Sequence, residues 1–362
     1  MTGSPSGRAD RLVAALATAG PDETPLDALL VTNLVNVEYL TGFTGTNGAC
    51  IVSGERRMFL TDFRYAERAS EIEGWDVEIV SGQWLEGLAS RLSGRTGFED
   101  DQVTVRTANQ IREAADAAEM VEAGGQVERL RRVKDSDEIE RIAEAARMTD
   151  ELYRLLLDDG LAGRTEAEVD GWLTGWMREQ GAEPSFPPIV ASGPNGASPH
   201  AEPGPREIGT GEMVTIDMGV RLDGYCSDCT RTFATGGEAH LDSLSREIYE
   251  VTLRANEAGL AAIRAGEAGS AIDEVARAII REAGYGGNFG HGLGHGVGVE
   301  IHEAPRLGPS SQDVLMAGEV VTDEPGIYIS GATGVRIEDM VLVGEEGVAR
   351  NFCSIPKQLT FV

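Results

Sequence analysis

The dipeptide Asp223-Gly224 sits between the strand-like runs "EMVTIDMGVRL" and "YCSDCTRTF" and leaves the chain little choice at that point. Asp-Gly between two such runs is a strong signal for a two-residue β-hairpin turn. The turn closes Leu222 against Tyr225 and pairs Asp217 with Thr230 further down the strands. Asp228 then lies diagonally across from Asp217 on the same face, roughly 7 to 8 Å away, close enough for both carboxylates to converge on one cation. Without a cation, two like charges so placed destabilise each other. Their neighbours Ile216, Met218 and Phe233 are apolar, so water is a poor substitute.

A second hairpin repeats the arrangement with longer acids. In "EVVTDEPGIYISGATGVRIEDMVLV", Glu324 and Glu338 are symmetric about Gly331 and should share a face, while Pro325-Gly326 should end regular strand pairing beside Glu324. Each hairpin closes a similar run of elements. The first run begins with a helix started by the capping-box pair Asp135 and Glu138, with Ile139, Ile142, Ala146, Leu152 and Leu156 on its apolar face. A second helix follows, capped by Thr165 and Glu168 and stopped by Gly181. The later run predicts helices from about Leu241 to Ala265, stopped by Gly266, and from Ser270 to Gly284. Two helix-helix-hairpin halves facing each other would set both acid pairs around one cleft.

Between the later helices and the second hairpin lies "FGHGLGHGVGVEIHE", Phe289 to Glu303. In an extended segment, the glycines from 290 to 298 fall on one face and His291 and His295 on the other. The bare face admits another backbone or a substrate. His291 and His295 are separated by about 13 Å of strand rise, so one ion cannot take both unless the strand bends sharply. His302 points to the opposite side in a regular strand, and a bulge near the glycines would return it. The histidines should therefore divide their tasks. Two aspartates, two glutamates and one histidine suit two hard or borderline divalent ions such as Mn²⁺ or Co²⁺, and paired ions of this kind serve hydrolysis.

Before this region the chain reads as a separate α/β domain. "ALLVTN", "ACIVSG", "RMFLTD" and "WDVEIV" have strand character, and "RYAERASEI" and "QWLEGLASRL" have helical spacing. The glycines of "YLTGFTGTNG" read as turns, since they lack the spacing of a nucleotide loop. The charged stretch "LRRVKDSDEIE" marks the junction near Val133, giving domains of residues 1–132 and 133–362. A total of 362 residues suits two domains.

Acidic residues outnumber basic ones 60 to 31, for a formal charge of −29, which repels nucleic acid and anionic lipid. Neither polyanion is an expected partner. Four scattered cysteines cannot build a disulfide framework, and the CxxC of Cys226 and Cys229 has neither a second pair nor a redox context, so buried thiols in a reducing compartment are expected. "LVAALATAG" has the Leu12, Val13, Leu16 spacing of an ordinary helix, and no stretch approaches the length of a membrane span. A cytoplasmic location is the expectation.

In order along the chain, "IDMGVRLDGYCSDCTRTF", "HGLGHGVGVEIHEAPR", "VTDEPGIYI" and "GVRIEDMVLV" closely resemble the pita-bread metallopeptidases, in particular the Xaa-Pro peptidases aminopeptidase P and prolidase. "YLTGFTGTNGACIV…LTDFRYAERA" resembles their creatinase-like N-terminal domain. The resemblance implies an α+β protein with a C-terminal pita-bread fold and an N-terminal α/β domain, and hydrolysis of the bond between a first residue and a following proline. It implies two divalent ions, Mn²⁺ before Co²⁺ or Zn²⁺, with Asp217 on one, His295 and Glu324 on the other, and Asp228 and Glu338 bridging. Glu324 would also shuttle a proton. His200, His291 and His302 match histidines that position substrate and stabilise the tetrahedral intermediate. Arg306 matches an arginine available for a dipeptide's carboxylate, and Arg336 one near the site, which could otherwise be a strand-edge ion pair. Homodimers are usual among such proteins.

Within this resemblance, methionine aminopeptidases would leave the first 130 or so residues unexplained. Creatinase-type enzymes and inactive peptide-binding relatives lack the full acid-histidine set. The "TGFTGTNG" segment and the absence of extra loops favour an aminopeptidase over a dipeptidase.

Overall fold

The computed structural model describes residues 5–362, which form two compact units, one through Arg131 and one from Arg132 onward. The first is built on a six-stranded mixed sheet in the order Asp76–Ile79, Arg57–Thr61, Ala49–Ser53, Ala28–Val31, Gly94–Phe98, Ala118–Glu122. The four strands legible in the sequence pair as neighbours. Two more, Gly94–Phe98 and Ala118–Glu122, extend the sheet in parallel. The helix Leu34–Thr41 starts where the Asn33 side chain accepts the Val35 N–H and ends at Gly42, at φ 76°. Gly42 thus terminates a helix, the turn role read from "YLTGFTGTNG". In the helix Pro5–Ala15 and the turn after it, Leu12 and Leu16 are buried and Val13 is half-buried. No helix among the described residues is long and apolar enough to cross a membrane.

The second unit contains the helix-helix-sheet order twice. Helices Ser136–Asp159 and Glu166–Glu179 both start with complete capping boxes, on Asp135 with Glu138 and on Thr165 with Glu168. They pack Leu152, Leu156, Val169 and Leu173 against Val214, Ile216 and Phe233 of a three-stranded antiparallel sheet whose middle strand is Met213–Met218. Helices Ser243–Ala262 and Gly269–Glu282 bury Ile248, Ala255, Ile272 and Ile280 with Val321, Val335 and Val341. The sheet of that half has five strands, in the order Glu303–Leu307, Gly294–Gly296, Val320–Asp323, Asp339–Val343, Val348–Asn351. Each half therefore buries the inner face of a helix pair on its own sheet, and the sheets' far faces are left to build a site.

Candidate active site

Both hairpins have the expected register. Asp223 and Gly224 take φ values of 47° and 83°, Leu222 faces Tyr225, and Asp217 faces Thr230. In the second hairpin, Ile329 pairs with Thr333 and Gly326 with Arg336, and the same register resumes with Asp323 opposite Asp339. Glu324 and Glu338 are therefore opposite each other, in the gap that Pro325 opens between two sheets.

The glycine-histidine segment departs from the expected long extended run. Its strand covers Gly294–Gly296, and the flanking residues bend. A β-carbon on Gly294 would overlap the Thr322 carbonyl and one on Gly296 the Ala304 carbonyl. At these two positions the bare face receives neighbouring backbone rather than substrate. Opposite, His295 pairs with Arg306 but Gly296 pairs with Glu303, so Ala304 and Pro305 bulge out of the ladder. The bulge answers the alternation problem at His302. Its ring meets that of His295 edge to face, with centroids 4.4 Å apart.

These elements bring Asp228, His295 and Glu338 together, with one ligand atom of each inside a 4.8 Å cluster. His295 Nε2 also lies 3.6 Å from Asp228 Oδ2 and 3.4 Å from Glu324 Oε1. Asp217 joins through Arg336, whose Nη2 donates to Asp217 Oδ2 at 2.7 Å while its Nε donates to Thr230 Oγ1, which in turn donates to Glu338 Oε2. Arg336 Nη1 is taken up by the Pro199 carbonyl and the Tyr328 hydroxyl, so the buried guanidinium is committed largely to protein groups. The other oxygen of Asp217, Oδ1, is buried without any hydrogen-bond partner.

This donor set fits divalent cations on three counts. His295 Nδ1 lies 3.0 Å from the Gly296 carbonyl, so the ring proton sits there and Nε2 presents its lone pair to the carboxylates. Four carboxylates against one guanidinium leave a formal charge of −3, which one divalent ion undercompensates and two exceed by a single unit. The cluster resists ionisation by itself: burial, then repulsion from Glu338, Asp217 and Glu324, raises the Asp228 carboxyl well above its ordinary range. Burial and the charges of Glu324 and Asp217 do the same to Glu338, and burial first pushes Glu324 up to about 8. Burial and then His302 bring His295 down to about 3, leaving it neutral.

A cavity of about 670 Å³ opens onto this cluster. Phe186, Pro187, Pro188, Ile301 and Leu307 make an apolar wall, and His200, His302 and Arg306 line it as well. His200 and His302 are exposed at its surface. Arg306 is exposed too, and among the described residues its guanidinium has no hydrogen-bond or ion-pair partner. His291 is held differently. Its Nδ1 bonds the Gly292 carbonyl at 2.8 Å and its Nε2 the Tyr328 hydroxyl at 2.9 Å, so both ring nitrogens are occupied. Tyr328 and Thr230 were not singled out from the sequence. The strand pattern places Thr230 as the register partner of Asp217 but not its bond to Glu338, and Tyr328, which follows Glu324 at a spacing of four, could have been found by extending that pattern.

Cys226 and Cys229 are buried free thiols. Their sulfurs lie 3.7 Å from the Val299 carbonyl and 3.8 Å from the Glu338 carbonyl. Burial raises both, Cys226 to about 11, so neither is a ready thiolate.

Two helix-helix-sheet halves around a buried carboxylate-imidazole cluster define a metal-dependent hydrolase. The model of metallopeptidase family M24 matches residues 140–345, and that of the creatinase/prolidase N-terminal domain matches residues 8–133. The chain belongs to metallopeptidase family M24, joined to a creatinase/prolidase N-terminal domain, and is a peptidase of the pita-bread fold. It is similar to the structure of the Xaa-Pro dipeptidase from Bacillus anthracis, with 40% identity, a TM-score of 0.92, and coverage of 99% of this chain and 100% of that one. It is also similar to the X-Pro aminopeptidase from Thermotoga maritima, at 31% identity and TM-score 0.87 over 98% and 100% of the two chains. The Xaa-Pro dipeptidase of Pyrococcus furiosus is 33% identical over 91% of this chain and 94% of its own length.

Proposed function

We propose that this peptidase is an Xaa-Pro dipeptidase with a two-ion centre, held by Asp217, Asp228, His295, Glu324 and Glu338 and served by Mn²⁺. The unpartnered guanidinium of Arg306 carries the choice of dipeptides. Across the hairpin it pairs with His295, so the two side chains share a face, and a free carboxylate beside the centre would meet an uncommitted cation. The Xaa-Pro dipeptidases at 40% and 33% identity support the same reading. Both observations turn the aminopeptidase expectation towards its alternative.

When bound, the ions supply Lewis-acid polarisation of the peptide carbonyl and neutralise the carboxylates. The protein's own groups do the rest. The apolar wall of Phe186, Pro187, Pro188 and Ile301 accepts the proline ring and excludes water from it. Water adds to the carbonyl carbon, and the proline nitrogen leaves as an amine only by gaining the proton that water gives up as the C–N bond breaks. Glu324, at the cavity edge, takes that proton from the water and delivers it to the nitrogen. His302 stands over His295 and donates an N–H to the oxygen that gains charge. Arg336 and Tyr328 hold Asp217 and His291 in place, and His200 closes the rim.

Aminopeptidase action on longer peptides is the second reading. The Thermotoga likeness and a cavity roomy for a dipeptide favour it. Turnover of Ala-Pro compared with Ala-Pro-Ala-Ala decides between them. Preference for the dipeptide is expected, with Arg306→Met raising KM for Ala-Pro by about tenfold or more and hardly affecting the longer peptide. Faster cleavage of the longer peptide by the wild type would establish the aminopeptidase. The homodimer and the cytoplasmic compartment belong to the same proposal, and light scattering on the purified protein tests the first.

A further inference from the structure

The strands Val320–Asp323 and Asp339–Val343, which end beside Glu324 and Glu338, have a second charged layer on their other face. Strand alternation turns Asp323 and Asp339 away from the cavity, and these two residues face each other across the ladder. Both are fully buried. Lys357, from the C-terminal segment, reaches Asp339 Oδ2 and Asn256 Oδ1 at 2.7 Å each. Asn256 in turn donates to Asp323 Oδ2 at 2.8 Å. Arg231 completes the layer with all five of its N–H groups. It donates to Asp339 Oδ1, to the carbonyls of Thr230 and Glu338, and twice to the Ile355 carbonyl.

By formal charge the back layer balances, with two carboxylates and two cations, while the cavity layer one residue away does not. Its bonds end on the backbone of residues proposed to hold the ions. Arg231 bonds the Glu338 carbonyl, and Cys353 Sγ, from the same C-terminal segment, reaches the Asp228 carbonyl at 3.6 Å. Arg231 itself is clamped by Asp339, which Lys357 holds from the other oxygen.

We propose that Lys357, acting through Asp339 and Arg231, is a positioning residue for Glu338, so that the C-terminal segment sets the affinity of the centre for its ions. This rests on the reading of Glu338 as a metal-binding carboxylate. Removing the Lys357 charge leaves Asp339 and Asp323 opposed with Arg231 bonded to Asp339 alone, and the Glu338 backbone follows Asp339.

The test is calorimetric titration of MnCl₂ into full-length protein stripped with chelator, alongside thermal unfolding of the metal-free forms. Lys357→Gln is expected to weaken Mn²⁺ binding by about tenfold, the lower end for a group behind a ligand, and Lys357→Arg to restore most of it. Turnover by Lys357→Gln should recover as MnCl₂ is raised. Wild-type Mn²⁺ affinity in Lys357→Gln, even with a lowered Tm, would reduce the lysine to a stabilising ion pair and overturn the proposal. Asn256→Ser frees one end of Lys357 without removing its charge, and carries the test if Lys357→Gln does not fold. A weaker affinity is expected there too, and an unchanged one overturns. Wild-type protein that takes up no Mn²⁺ would instead overturn the site reading on which the inference depends.

Discussion

Asp228 and His302 lie within one side chain of His295, yet the geometry gives them different work. Asp228 is buried among carboxylates and contributes charge to the cluster, whereas His302 is exposed above it. Asp228→Ala should abolish turnover and weaken Mn²⁺ binding while the circular dichroism spectrum stays native, because a ligand rather than a core contact is lost. His302→Ala should keep its metal and lose about a hundredfold in kcat, the scale of one oxyanion donor. Metal analysis of the two variants separates the roles, and metal loss in His302→Ala would place that histidine among the ligands. His291 supports a prediction in pH. Burial, reinforced by the charges of Arg336 and His200, brings its pKa down to about 4. An unfolded histidine takes its proton near 6.5, so the unfolded chain binds more protons between those values. The stability that the neutral ring contributes is complete above pH 6.5 and is lost as pH falls towards 4. Urea midpoints across that range should fall less steeply for His291→Gln than for wild type, and equal slopes would count against it.

At the scale of elements, the short strand Gly294–Gly296 and its bulged partner do the decisive positioning. They put His295 between two backbones and return His302 to its side. Gly296→Ala sets a methyl group against the Ala304 carbonyl, within the bulge itself. It should cost about 1 to 3 kcal/mol by overpacking and reduce turnover as well, since His302 moves with the bulge. Unfolding curves and kcat measured on the same preparation check both parts, and full stability with full activity would mean the bulge relaxes freely. Arg277 holds the residues leading into this strand, through the Phe289 and His291 carbonyls at 2.9 and 2.7 Å.

At the scale of the whole molecule, the charge excess of 60 acids over 31 bases has a local counterpart in a cavity layer of four carboxylates against one guanidinium. Removing metal should therefore act on stability as well as on activity. Each ion at about a hundred times its Kd contributes roughly 2.7 kcal/mol, so stripping both should lower the Tm of the metal-binding unit by roughly 10 to 20 °C. Two equivalents of Mn²⁺ should restore it. Scanning calorimetry with and without chelator measures this, and an unmoved Tm would sever metal from fold.

Much of this was written locally. Asp223-Gly224 dictates a turn whatever surrounds it, and the turn's register puts Asp217 opposite Thr230. Symmetry about Gly331 does the same for Glu324 and Glu338, and capping boxes mark where both first-half helices begin. Such features depend on residues a few positions apart, so the sequence by itself determined the acid pairs, the repeated helix-helix-hairpin order and the chemistry of the donor set. Two strands of the N-terminal sheet escaped, because Gly94–Phe98 and Ala118–Glu122 carry charged or small residues where an apolar alternation would announce a strand. Only the tertiary structure decided which way His302 faces, that His291 is fully occupied by Gly292 and Tyr328, and that Lys357 and Arg231 stand behind Glu338. Each of these depends on segments tens to more than a hundred residues apart, or on a bulge whose position the partner strand sets. No periodicity within either segment records where the other will lie.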